Sequence, residues 1–153
     1  MKVIFLDFDG VLNSVKYVAL CGQYGVVLNP AKMELLKQIV DATAAKIVLT
    51  TSWREHWEKD PALCTDTGLQ INERFAQYGL QIYDKTPRIR LSREAEFSYW
   101  LGQHPEVQSF VVLDDMFLSA DFLQGHFIRT SNYFDGLEEA DARQAIEILN
   151  GKE

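Results

Sequence analysis

The sequence predicts an α/β fold, a doubly wound parallel sheet with helices on both faces and at most a minimal cap. Residues 2–8 (KVIFLDF), 46–51 (KIVLTT) and 109–114 (SFVVLD) are short, nearly continuous apolar runs rich in β-formers, the pattern of strands covered on both faces. Amphipathic helical patterns lie between them, and strands alternating with helices in one chain imply a parallel sheet. No repeat, low-complexity tract or Gly/Ser linker interrupts the 153 residues, so residues 1–153 read as one domain with a sizeable single core.

The first strand ends in two carboxylates one residue apart, Asp7 and Asp9, followed by Gly10, where the chain can turn away. Residues 13–29 (NSVKYVALCGQYGVVLN) separate this strand from its helix and are long enough for a short flap or small hairpin. Tyr17 and Tyr24 in that segment could touch substrate, although loop aromatics more often pack on the body of a protein. The stretch NPAKMELLKQIVDA has Asn29 as a cap, Pro30 at the first helical position, and Met33, Leu36, Ile39 and Val40 on one face. After the second strand, Ser52 and Glu55 form an S-x-x-E capping box opening SWREHWEK. Trp53 and Trp57, four apart, read as core or as a surface pair. Residues 67–78 and 92–103 are further helices, the latter capped by Ser92, and LQIY (80–83) and HFIRT (126–130) are weaker strands. The tail from Leu137 to Leu149 is amphipathic, with acidic residues near its start as the helix dipole favours.

Composition narrows the class. A hydrophobic fraction of 47% and a charged fraction of 24% are those of a soluble globular protein. The net charge of −7 argues against an extended nucleic-acid-binding surface but allows a local basic pocket. No apolar run approaches the ~18 residues of a membrane span, and the start of the chain lacks the pattern of a signal peptide. Cys21 and Cys64 lie far apart without metal-ligand spacing, which fits a reduced, cytoplasmic protein. His56, His104 and His126 have no ligand spacing and read as surface or structural residues.

Ligands of doubly wound sheets collect outside the carboxyl ends of the strands. Asp7 and Asp9 end the first strand, Thr50, Thr51 and Ser52 the second, and Asp114 and Asp115 another. If these strands are parallel neighbours, four carboxylates and several hydroxyls share one crevice. A hard divalent cation would relieve the repulsion, and carboxylates with a carbonyl and waters suit Mg²⁺. A carboxylate beside Mg²⁺ can attack phosphorus to give an aspartyl-phosphate. Taken singly, D-x-D is usually a turn and T-T-S a helix cap; the signal is their order at the ends of buried strands.

At these residues the chain resembles the haloacid dehalogenase-like (HAD) superfamily of phosphatases and phosphotransferases. D-F-D-G-V-L-N, with Asn13 last, is similar to its first motif, I-V-L-T-T-S to its second and V-V-L-D-D to its fourth, over about residues 3 to 115. The resemblance implies a three-layer, Rossmann-like fold and Mg²⁺-dependent phosphomonoester hydrolysis, with Asp7 as nucleophile and Asp9 as general acid/base. Asp7, the Asp9 backbone carbonyl and Asp114 would hold the metal, with Asp115 assisting directly or through water. Thr51 would hydrogen-bond the phosphoryl group because Ser52 is committed as a cap, with Thr50 as the register alternative. A second acid at position 9 favours phosphoester hydrolysis, since a leaving alkoxide needs a proton and the attacking water must lose one.

The third motif should supply a cation, from Lys85, Arg88, Arg90 or Arg93. Arg93 is favoured: it follows the Ser92 cap, where side chain and helix N-terminus can face one anion. S-R-E-A-E-F-S-Y-W-L also resembles the R-G-x-E-I-x-x-W-L segment of small capless members related to RNA-repair phosphatase domains, with Glu94 in place of Gly. The bland reading is a solvated helix-surface arginine. The substrate-binding set so implied is Asp7, Gly10, Thr51, Ser52, Arg54 and Arg93, with Arg54 a second cation. An uncapped site suits a bulky phosphorylated substrate: a nucleic-acid end, a nucleotide or a phosphoprotein. The rival readings are a phosphotransferase or phosphomutase with the same machinery, and a non-catalytic phosphate-binding module.

Overall fold

A computed structural model describes residues 1–23, 25–89, 92–131 and 135–151. Strands β1 (Lys2–Leu6), β2 (Lys46–Leu49), β3 (Ile82–Lys85), β4 (Ser109–Asp114) and β5 (Phe127–Arg129) form a parallel sheet in the order β3-β2-β1-β4-β5. Helices α1 (Val15–Cys21), α2 (Pro30–Thr43), α3 (Asp66–Ala76), α4 (Arg93–Gly102) and α5 (Glu139–Asn150) complete the α/β, Rossmann-like architecture. From β1 the chain adds strands first to one side and then to the other. The switch point therefore lies at β1 and β4, where such sheets bind ligands.

The apolar runs are continuous because both faces of the sheet are covered. Ile4, Leu6, Ile47, Leu49, Val111 and Leu113 pack in one core with Met33, Leu36 and Ile39 of α2, Ile71 and Phe75 of α3, and Ala142, Ala145 and Leu149 of α5. Their sequence neighbours Val3, Phe5, Val48 and Val112 point the other way, onto Phe97 and Trp100 of α4 and Leu123. Phe5 meets Trp100 edge-on, with ring centroids 5.5 Å apart. Each large side chain so buried contributes about 1.5–3 kcal/mol.

Both weaker strands form. β3 starts two residues later than the pattern LQIY suggests, because the Leu80 amide is still donating to Phe75 at the end of α3 (3.0 Å). Asn29 caps α2 through Ala31, and Ser92 caps α4 through Ala95.

One local expectation is corrected. SWREHWEK forms only a 3₁₀ turn, Ser52–His56, and its cap is Thr51, whose Oγ1 accepts the Trp53 amide at 3.3 Å. The extended backbone of Thr51 places the cap one residue early, so Ser52 is exposed inside the turn and Glu55 pairs with Arg88 instead of closing a box. Trp53 and Trp57 consequently part ways, Trp57 being buried and donating to Asn72. The segment 13–29 holds no hairpin among its described residues but the short helix α1, capped by Ser14 and burying no residue of its own. Tyr24 lies outside the described residues.

Candidate active site

The strand register brings the distant motifs together. Leu6 is opposite Leu49 on one side and Leu113 on the other, so the next residues, Asp7, Thr50 and Asp114, emerge at one level. The ladder continues through them, with the Asp7 amide donating to Leu113 (3.1 Å) and that of Thr50 to Leu6 (3.0 Å). Strand alternation puts all three on the side that carries Phe5, Val48 and Val112, beneath α4.

Carboxylate oxygens of Asp7, Asp114 and Asp115 lie within 4.8 Å of one another. Asp7 and Asp114 are buried and Asp115 is partly so. Backbone amides orient the two buried groups, Phe8 donating to Asp7 (2.9 Å) and Met116 to Asp114 (3.0 Å). Burial, and next the charge of Asp114, push the pKa of Asp7 up to about 7, with Arg93 pulling the other way. Three carboxyl groups in so small a space, one of them resisting ionisation, could hold a hard divalent cation.

Arg93 reaches this cluster from the first turn of α4. Its Nη1 lies 2.9 Å from Asp114 and 3.3 Å from Asp7. Burial opposes its charge, but Asp114 and Asp7 more than offset this and raise its pKa. The other third-motif candidates point elsewhere. Lys85 is tied to Glu58 and to the carbonyls of Arg54 and Trp57, and Arg88 to Glu55 and the Ser52 carbonyl. Arg90 lies outside the described residues.

Arg54 is engaged within the fold. Its guanidinium, buried at 4% exposure, donates to the carbonyls of Thr50, Thr51 and Thr86 and to Glu96 at 2.9 Å. Glu96 also accepts the Ile89 amide, so Arg54 fastens the turn after β2 to α4 and to the segment before it. Gly10 turns the chain at φ +84°, its amide donating to Asn13 (3.0 Å) and its carbonyl accepting from Thr130 (2.5 Å). Ser52 offers an exposed side chain and a carbonyl already taken by Arg88. Of the two threonines, Thr51 caps the turn, whereas the fully buried Thr50 hydroxyl has no hydrogen-bond partner among the described residues.

Asp9 stands apart from the carboxylate cluster, with its exposed side chain held from two directions. Asn13 donates to Oδ1 at 3.1 Å and the Trp53 indole to Oδ2 at 3.0 Å. Asn13 is itself buried and also donates to the Val27 carbonyl, which fixes which way its amide faces. Gly136 abuts the same turn. Its φ is +62°, and a Cβ there would come within 2.6 Å of the Asn13 carbonyl oxygen.

Residue type alone did not reveal the parts played by Trp53 and Glu96. For Glu96 a signal existed, since the R-G-x-E pattern has an acid at that position. For Trp53 the only clue was that a half-buried indole needs an acceptor for its N–H.

A cavity of about 380 Å³ opens beside the cluster, lined by Asp115, Arg129, Thr130 and Ser131. A larger one, about 490 Å³, lies at the opposite end of the sheet by Lys46 and Gln81, away from the carboxylates. No helix among the described residues is long and apolar enough to cross a membrane.

A family model described as the HAD domain in Swiss Army Knife RNA repair proteins matches residues 3–142. No curated protein matches the chain.

Proposed function

Since the chain belongs to the family of HAD domains found in Swiss Army Knife RNA repair proteins, we propose that it is a Mg²⁺-dependent phosphatase acting through an aspartyl-phosphate on Asp7. The observation that carries this reading is the Arg93 guanidinium bridging Asp7 and Asp114 beside Asp115. It supports reading Asp7 as nucleophile, Arg93 as the cation for phosphoryl charge and the carboxylates as metal ligands, the combination that phosphoryl transfer requires.

In this mechanism the Asp7 carboxylate attacks phosphorus while Arg93 offsets charge on the phosphoryl oxygens. Asp9 gives its proton to the leaving oxygen, then takes one from the water that hydrolyses the acyl phosphate. Mg²⁺ would be held by Asp7, Asp114 and the Asp9 backbone carbonyl, with Asp115 directly or through water, and would supply further charge neutralisation. The hydroxyl for a phosphoryl oxygen is assigned to Thr50 rather than Thr51, because a buried hydroxyl without a partner costs about 1–3 kcal/mol that such a bond would recover.

The substrate we favour is a phosphorylated nucleic-acid end. The family's description supports RNA repair, and α1, which buries no residue, is the one helix between β1 and α2 among the described residues. With a net charge of −7, contact with nucleic acid would be confined to the end rather than spread along the backbone. Cys21 and Cys64 are free thiols, which suits a reducing, cytoplasmic setting.

The test is phosphate release, with and without Mg²⁺, from phosphorylated ends, nucleotides and metabolites, followed by trapping with a fluoride complex of beryllium. Mg²⁺-dependent release without an added acceptor, with the trapped mimic on Asp7, is the expected result. Transfer only to an acceptor would make the protein a phosphotransferase, and no turnover of any ester would refute the reading.

A further inference from the structure

The indole of Trp53 does not behave as core. It is half-buried against the main core, yet its N–H points out of that core at the Asp9 carboxylate 44 residues away in sequence. Asn13 comes from Asp9's own turn, so Trp53 is the contact that ties Asp9 to the loop after β2. That loop is itself constrained. The Trp53 amide is held by Thr51, and the Thr50 and Thr51 carbonyls are held by Arg54, which is anchored in turn by Glu96. Left to itself, an exposed carboxyl at the end of a short side chain samples several rotamers. Here each oxygen meets a fixed donor and still keeps a lone-pair direction for a proton.

We propose that Trp53 is a positioning residue for acid–base catalysis, its indole N–H fixing the Asp9 carboxyl where it can protonate the leaving oxygen. This rests on the phosphatase reading above and adds to it a role for a residue outside the four motifs. In the step concerned, the bond from Asp7 to phosphorus forms as the bond from phosphorus to the leaving oxygen breaks. The Asp9 proton moves to that oxygen. A misplaced Asp9 therefore harms esters of basic alcohols, which need the proton, far more than esters of acidic phenols, which can leave as anions.

The experiment compares wild type, Trp53→Phe, Asp9→Ala and the double variant by kcat/KM on an alkyl phosphomonoester and on 4-nitrophenyl phosphate, with Mg²⁺ present. kcat/KM reports steps up to transfer onto Asp7 and so isolates the proton donation. Trp53→Phe is expected to lose about tenfold or more on the alkyl ester and several-fold less on the aryl ester, within the 10²–10⁴ that general acid–base catalysis supplies. In the Asp9→Ala background the Trp53 change should cost nothing further. Equal losses on both esters, or the same loss in either background, would make Trp53 merely structural and overturn the proposal. If Trp53→Phe melts early, the benzothienyl analogue of tryptophan keeps the ring volume, lacks the N–H and must show the same ester dependence. A wild-type protein inactive on every ester refutes the phosphatase reading and this inference together; an active one indifferent to Trp53 refutes the inference alone.

Discussion

A buried arginine, Arg54, and a half-buried one, Arg93, flank the crevice, and they show how one residue type can be given opposite tasks. Arg54 turns inward, with its guanidinium committed to three backbone carbonyls and Glu96. Arg93 turns toward the crevice, with a terminal nitrogen between Asp7 and Asp114. Burial lowers the pKa of Arg54 and Glu96 only partly offsets it, whereas two carboxylates more than offset burial at Arg93. Arg54 holds structure; Arg93 holds charge where a phosphoryl group would add more. Position beside the crevice therefore does not fix an arginine's task. What its donors already bind decides that.

The comparison can be tested by substitution, starting with the group that gives Arg93 its purpose. Asp7→Asn should lower Mg²⁺-dependent turnover of an aryl phosphate by about a thousandfold or more with the fold intact by circular dichroism; retained activity would remove Asp7 as nucleophile. Next, the arginines should separate. Arg93→Ala should cost roughly 10²–10³ in kcat, as for a lost oxyanion donor. Arg54→Ala should first cost stability, about 3–5 kcal/mol from the stranded Glu96, or roughly 10 °C in Tm. Thermal melts and kinetics on both variants decide the matter, and an Arg54→Ala protein with unchanged Tm would dissolve the distinction.

The two threonines extend it on a smaller scale. Thr50→Val should reduce kcat/KM about tenfold with little change in Tm, the worth of one hydrogen bond to a charged group. Thr51→Val should instead lose about 1 kcal/mol of stability with the cap. The reverse pattern would return the phosphate contact to Thr51.

The last expected effect is a slope. The Asp7 pKa rises from 3.8 to about 7 on folding, so between about pH 4 and 7 the folded state keeps a proton that the unfolded state has released. Stability of the metal-free protein should therefore fall as pH rises through that window, by several degrees in Tm at roughly 2–4 °C per kcal/mol. Asp7→Asn should flatten this contribution, and Mg²⁺ should raise the wild-type Tm more at pH 7.5 than at pH 5. Equal slopes for wild type and Asp7→Asn would place the titration elsewhere.

Much of this was legible in the chain because the relevant signals are local. A strand covered on both faces must be apolar at every position, which made β1, β2 and β4 plain, and Asn29 and Ser92 announce their helices by accepting from backbone donors within one turn. The cap after β2 was misplaced because T-T-S offers three hydroxyls in a row, and only the point where the β2 ladder ends selects Thr51. The partners of Arg54 were not legible for a related reason. Nothing near position 54 shows that Glu96 and the Thr86 carbonyl will meet its guanidinium.

By itself the sequence determined the α/β alternation, the acidic residues at the ends of β1 and β4, and the family resemblance those residues carry, since each depends on residues close together in the chain. Tertiary structure alone decided that Leu6 lies level with both Leu49 and Leu113, and so that Asp7, Thr50 and Asp114 share a height. It also decided that Arg93 faces the carboxylates, that Arg54 does not, and that Trp53 holds Asp9. Pairing register and side-chain donors act across dozens of residues, where no local pattern records which acceptor a given N–H will find.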